Sequence, residues 1–299
     1  MESVAEATED SKHSLAGRMR KIVFSLKKAP LVPLAIIGIF VFTAIFANFL
    51  TPHSPVDPSL EHRLRPPFFL EGGSLTYPLG TDLLGRDILA RIIYGTRASL
   101  TVSLMTIFFA GFFGISLGLI SGYKGGWLDA VLMRIVDATV SFPTILFAIV
   151  LLVVIGAGLW NVVLAIAMLQ WARYARVIRG EVLSLKERDF IAQARIAGCS
   201  TFRIMMVHLF PNVLNILVVM VTIEIGRIIL VEASLSFLGA GIPPPTPAWG
   251  QMVASGRDYI TSAWWVSLWP GLAIMCVVLS FNLLGDWLRD TLDPKLRQV

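Results

Sequence analysis

Residues 98–122 read ASLTVSLMTIFFAGFFGISLGLISG, a block without a single Asp, Glu, Lys or Arg. A helix rises 1.5 Å per residue, so about 20 apolar residues are needed to cross roughly 30 Å of hydrocarbon. This block is long enough to do it. Within it Ala110, Gly114, Gly118 and Gly122 recur every four residues, which places small side chains along one helix face. Lipid tails supply no hydrophobic drive for helix association, so such a stripe is where a second helix can come close enough to gain packing. The block predicts one member of a membrane helix bundle.

Working outward, other apolar blocks repeat the pattern. Leu31–Leu50 predicts a first span, an uncleaved anchor because its apolar run is too long for a secretory signal and further spans follow. Between the two blocks, residues 51–97 are polar and carry Pro at 52, 55, 58, 66, 67 and 78. Such backbone cannot enter hydrocarbon without unpaired groups, so it belongs outside the bilayer. A third helix is expected over 127–155, bent at Pro143, which lacks the N–H a helix interior needs. Spans are expected over about 160–178, 213–238 and 266–288. Of the 299 residues 56% are hydrophobic and 15% charged, against roughly one quarter charged in soluble domains. The fold class is therefore an all-α membrane protein of about six transmembrane helices.

Lys and Arg orient it. The tail, residues 1–30, holds Lys12, Arg18, Arg20, Lys21, Lys27 and Lys28, and the segment between the fourth and fifth spans is comparably basic. The positive-inside bias gives an N-inside, C-inside bundle, and the +5 formal charge is topological information with no nucleic acid implied. Arg63, Arg65, Arg86, Arg91 and Arg97 fall in the first outer loop and run against this bias. Acidic neighbours and the length of the loop allow it. Cys199 and Cys276 fall in a polar loop and an apolar span, which predicts neither a disulfide nor a thiolate metal site.

No phosphate-binding GxxxxGK[ST] loop, HExxH, GxSxG or Cys/His cluster occurs, so no catalytic or cofactor site is expected in this chain. The informative inner segment is 188–212, RDFIAQARIAGCSTFRIMMVHLFPN. Phe190, Ile191, Ala194 and Ala197 recur at helical spacing around Arg195, and Gly198 supplies a stop. Ser200 can cap a second short helix that carries Arg203 and ends at Pro211. An amphipathic helix resting on acidic headgroups and a knob docking in a partner's cleft fit this pattern equally.

Residues 192–211 are similar to the cytoplasmic EAA loop of binding-protein-dependent ABC importer permeases, with Ala194, Gly198 and Pro211 in place. Ala192, Gln193, His208 and Phe210 depart from the common pattern in the direction of the peptide branch. LGTDLLGRD over 79–87, with Gly80, Thr81, Asp82, Gly85, Arg86 and Asp87, and YGTRASL over 94–100 resemble the signature of dipeptide, oligopeptide and nickel permeases. PPPTPAWG (243–250), SAWW (262–265) and DTLDPK (290–295) resemble segments of the C-type subunit.

The resemblance implies a type I ABC importer (MetI-like) transmembrane domain over 98–290 in the bacterial inner membrane. A coupling loop would span about 186–211, and a C-terminal cytoplasmic tail 291–299. It implies a B-type sister permease, two ATPases carrying ATP and Mg, and a periplasmic solute-binding protein. The 190–198 helix would then meet the ATPases. Peptide is the implied solute by default. A secondary, ion-coupled transporter is the rival from another class, but ion-coupling carboxylates near broken helices and internal repeats are not evident. A membrane-bound enzyme lacks its catalytic set.

Glu224, Arg227 and Glu232 lie inside the fifth predicted span. Charges there must face protein or water, and Glu224 and Arg227 stand one turn apart, so they are expected to pair. A structural pair at a subunit interface and contact with solute both remain open. Replacing Glu224 by Ala is expected to impair transport or assembly. Trp249, Trp264 and Trp265 are expected at the outer interface, beside a stiff Pro-rich loop suited to meeting the binding protein.

Overall fold

In a computed structural model the described residues are 30–292. The basic tail before Pro30 and the segment 293–299 lie outside them. The apolar block that decides the fold sits in helix α2, Ile88–Lys124, which begins ten residues earlier than the polar stretch predicts. Asp87 caps it, accepting the Leu89 N–H at 2.9 Å, and Gly125 at φ 65° ends it. Its first turns carry Arg91 and Arg97, whose charges are matched by groups described below. Those matches let a charged stretch stay helical.

α1 is Leu31–Leu50. The helix expected over 127–155 is two helices, α3 (Gly126–Ser141) and α4 (Thr144–Ile155), bent by 89° at the break. Phe142 is extended there (ψ 134°), because the ring of a following Pro disfavours helical backbone. α5 runs Leu159–Leu185, seven residues past its predicted end. Among the described residues four helices are long and apolar enough to cross a membrane, or five if the bent pair counts as one span. α5 is not among them, since Gln170, Arg173, Arg176 and Arg179 interrupt its apolar run.

α6 is Asp189–Ile196, and α7 runs without a stop from Thr201 to Phe237. Pro211 therefore does not end a separate short helix. The backbone widens to a π-helix over Ile204–Leu209, and the Phe210 N–H reaches the Met205 carbonyl. The wider turn moves the Pro211 ring off the preceding carbonyl it would strike, so the helix passes through. Asn212 Nδ2 donates to the His208 carbonyl at 2.6 Å. α8 (Trp249–Gly256) folds back against α7 and α9 (Trp265–Leu292).

The small-residue stripe is the seam between α2 and α5. A Cβ at Gly118 would stand 2.7 Å from the Ala175 carbonyl oxygen, and one at Gly122 2.8 Å from Val182 Cβ. Backbones this close leave no room for a methyl group. α9 packs on α7 through Gly226, and α1 lies on α2 and α9 through the buried Phe40 and Ala44.

Candidate functional site

Three places hold the residues singled out in the sequence. At the inner end, α6 finishes in a two-bond cap: the Cys199 N–H reaches the Ala194 carbonyl and the Gly198 N–H that of Arg195, both at 3.0 Å. Gly198 sits at φ 76°, the left-handed conformation this motif needs. Ser200 Oγ then accepts the Arg203 N–H, as its capping position predicts. The apolar face divides in a way that helical spacing did not separate. Ile191 and Ala194 turn inward and join Ile178 and Val182 of α5 with Ile204 and Leu209 of α7 in one core cluster. Phe190 and Ala197 face solvent, and so do two residues the sequence reading omitted, Ile196 at 88% and Phe202 at 70% exposure. Arg195 lies over the Tyr123 ring, 5.5 Å from its centroid, which ties α6 to the end of α2.

Midway along α7, Glu224 is buried and paired, though Arg227 is not its main partner. Arg173 of α5 donates to Oε1 at 3.0 Å and Gln170 to Oε2 at 2.9 Å, while Arg227 Nη1 stands 3.6 Å from Oε1. In the sequence Arg173 reads only as one of the basic residues that mark the inner side. Its partner lies 51 positions away on another helix, a distance over which spacing carries no signal. Glu232 is fully buried two turns further along, where Oε1 accepts from Ser236 Oγ at 2.7 Å.

At the outer end, the LGTD…GRD segment is a closed knot. Asp82 Oδ1 accepts the Leu84 and Arg86 N–H groups, while Oδ2 takes Arg86 Nε at 2.8 Å and lies 3.5 Å from Arg91 Nε. Asp87 caps α2 and meets His53 Nδ1 at 2.8 Å, and Arg91 also donates to the Pro55 carbonyl. Thr81 Oγ hydrogen-bonds the His62 carbonyl, and Gly80 and Gly85 take positive φ. Arg97 donates to the Ala44 and Ile45 carbonyls and to Asn48 Oδ1, closing the last turn of α1. These contacts explain how the outer loop tolerates its arginines: Arg86, Arg91 and Arg97 are neutralised or hydrogen-bonded inside the fold.

Trp249 and Trp265 do not lie at the outer interface, where the sequence predicts them. Both are buried, and Trp249 donates to the Ile92 carbonyl at 2.9 Å with its ring against Phe40. An indole that finds a hydrogen-bond partner and an apolar slot inside the protein no longer needs the interface.

Compared with known proteins, residues 114–298 match the family of binding-protein-dependent transport system inner membrane components. The chain is 42% identical over 276 residues to a di/tripeptide transport system permease protein of Pseudomonas aeruginosa, covering 92% of this chain and 91% of the relative. It is 41% identical over 275 residues to a dipeptide transport system permease protein of Haemophilus influenzae, covering 92% and 93%. A glutathione transport system permease protein of Pectobacterium atrosepticum is 41% identical over 264 residues, covering 87% and 86%. The ion-coupled alternative finds no support among these relatives. The chain belongs to the binding-protein-dependent transport inner membrane components, as a multi-pass inner-membrane permease subunit of an ABC importer.

Proposed function

We propose that this permease forms half of the passage of an ATP-driven peptide importer, the other half being a sister permease. ATP and Mg act on two separate ATPase subunits, and a solute-binding protein delivers peptide from outside. The peptide assignment follows from the relatives named for di/tripeptide, dipeptide and glutathione transport.

The observation that carries the coupling role is the divided face of α6. Phe190, Ile196 and Phe202 are exposed apolar side chains on and just after α6, while Ile191 and Ala194 are set into the core between α5 and α7. Force applied to the exposed side reaches those two helices directly. Arg195 on Tyr123 extends the linkage to α2, and Gly198 ends α6 at positive φ. ATPase closure would move α6 as a rigid element and bias the bundle between inward-open and outward-open arrangements. The outer knot holds the other end of α2 while this happens.

The test is uptake of a labelled dipeptide into liposomes holding the full complex. ATP-dependent uptake is expected, together with a crosslink from Ile196→Cys to an ATPase subunit. Uptake by the permeases alone, or a crosslink only to externally added protein, sinks the proposal.

A further inference from the structure

The charges at the middle of the bundle do not balance. On α5, Arg173, Arg176 and Arg179 follow one another at three-residue spacing, and the last two each have a carboxylate on α3: Asp137 at 2.7 Å and Asp129 at 2.6 Å. Arg173 has no such private partner and shares Glu224 with Arg227. Two guanidinium groups thus face one carboxylate, whose second oxygen is already taken by Gln170. Arg227 Nη1 is buried without a hydrogen bond. The remaining parts of both groups are open, with side-chain exposures of 44% for Arg173 and 32% for Arg227.

Along the helical stretch from Phe210 to Phe237, at 1.5 Å per residue, Glu224 lies about 20 Å from either end and Arg227 about 15 Å from the nearer one. At that depth an open guanidinium must face protein or a water-filled passage, because hydrocarbon excludes it. The planar fork of N–H donors is the complement of a carboxylate. We infer that the open side of Arg173 and Arg227 binds the carboxylate of the transported solute as it passes. Glu224 leaves the cluster with a net charge of +1, enough to attract an anion and weak enough to let it go. This rests on the transport role proposed above and narrows the solute to molecules with a free carboxylate, such as the C-terminal end of a peptide.

Direct binding to the purified permease–ATPase complex, without the binding protein, tests it. The probes are acetate, a dipeptide and the same dipeptide as its C-terminal amide, followed by saturation-transfer NMR. Wild type is expected to bind acetate and the acid dipeptide and to bind the amide about tenfold more weakly, the loss of one charge-assisted hydrogen bond. Arg173→Gln and Arg227→Gln should abolish the preference, Arg227→Lys should keep part of it, and Glu224→Gln should strengthen it. Equal binding of acid and amide by wild type, or an unchanged preference in both Gln variants, overturns the inference. A complex that assembles with neither Gln nor Lys at position 227 also overturns it, since the role is then packing. Failure of the peptide assignment is a different result: the wild-type complex then imports no dipeptide while the carboxylate preference persists.

Discussion

The two ends of this bundle treat their side chains in opposite ways. Outside, charged groups are drawn in: Arg91 and Asp82 are buried, Arg97 is spent on the end of α1, and even Trp249 is enclosed. At the inner end apolar side chains are left uncovered, with Ile196 and Phe202 exposed on a segment otherwise finished with hydrogen-bonded caps. The outer end is satisfied by its own chain, whereas the inner end leaves apolar side chains exposed, as the proposed docking of another polypeptide requires. Substitutions ranked by their cost to the folded chain separate the two.

The costliest should be Asp82→Ala. Among the described residues it removes the one carboxylate paired with Arg86 and Arg91 and leaves Arg91 buried without that counter-charge. Breaking a buried pair from one side costs about 3–5 kcal/mol. Thermal unfolding of the detergent-solubilised protein should show a large drop, and uptake should fall only in step with the amount of folded protein. A stable, folded Asp82→Ala chain with specific loss of transport would move the knot from scaffold to mechanism.

Next comes Ile191→Ala, on the inward side of α6. The residue is fully buried among α5 and α7, and truncating a buried Ile to Ala costs about 2–5 kcal/mol. Both stability and transport should decline, since the contact that holds α6 is the one through which its proposed motion would pass. An unchanged melting curve would mean that α6 is not anchored where it lies.

Much of this contrast was legible beforehand, and the reasons for the remainder are local. The small-residue stripe on α2, the stop at Gly198 and the cap at Ser200 are short-range patterns, and each is found in place. What periodicity did not resolve is which side of an eight-residue helix meets its own protein. Ile191 and Ile196 are both apolar, five positions apart, and only the positions of α5 and α7 distinguish them. Pro211 was misread because a π turn, with no sequence signature of its own, absorbs it. Trp249 was misread because its partners, Ile92 and Phe40, lie on α2 and α1, far away along the chain.

Gly198→Ala should cost less than either core change. No atom stands within 4 Å of the added Cβ, so sterics contribute nothing beyond the backbone. Forcing an L residue into left-handed φ costs about 1–2 kcal/mol. The melting temperature should fall by a few degrees, and on the proposed lever role of α6 ATP-driven uptake should fall further than folded protein does. A fall in uptake no larger than the fall in folded protein would argue that the rigidity of this turn is irrelevant to coupling.

The smallest structural cost belongs to Ile196→Asp, and it is the sharpest test of the comparison. Ile196 is 88% exposed, and surface substitutions away from special features stay within about 0.5 kcal/mol. The melting curve should match wild type. If the inner face awaits a partner, a new carboxylate among its exposed apolar side chains must be desolvated on docking, and ATP-driven uptake should drop at least about tenfold, the factor that 1.4 kcal/mol brings in a binding constant. Co-purification of the ATPase subunits should weaken in parallel. Full uptake with Ile196→Asp would instead return α6 to the role of a helix lying on headgroups, and the asymmetry between the two ends would then concern solvent alone.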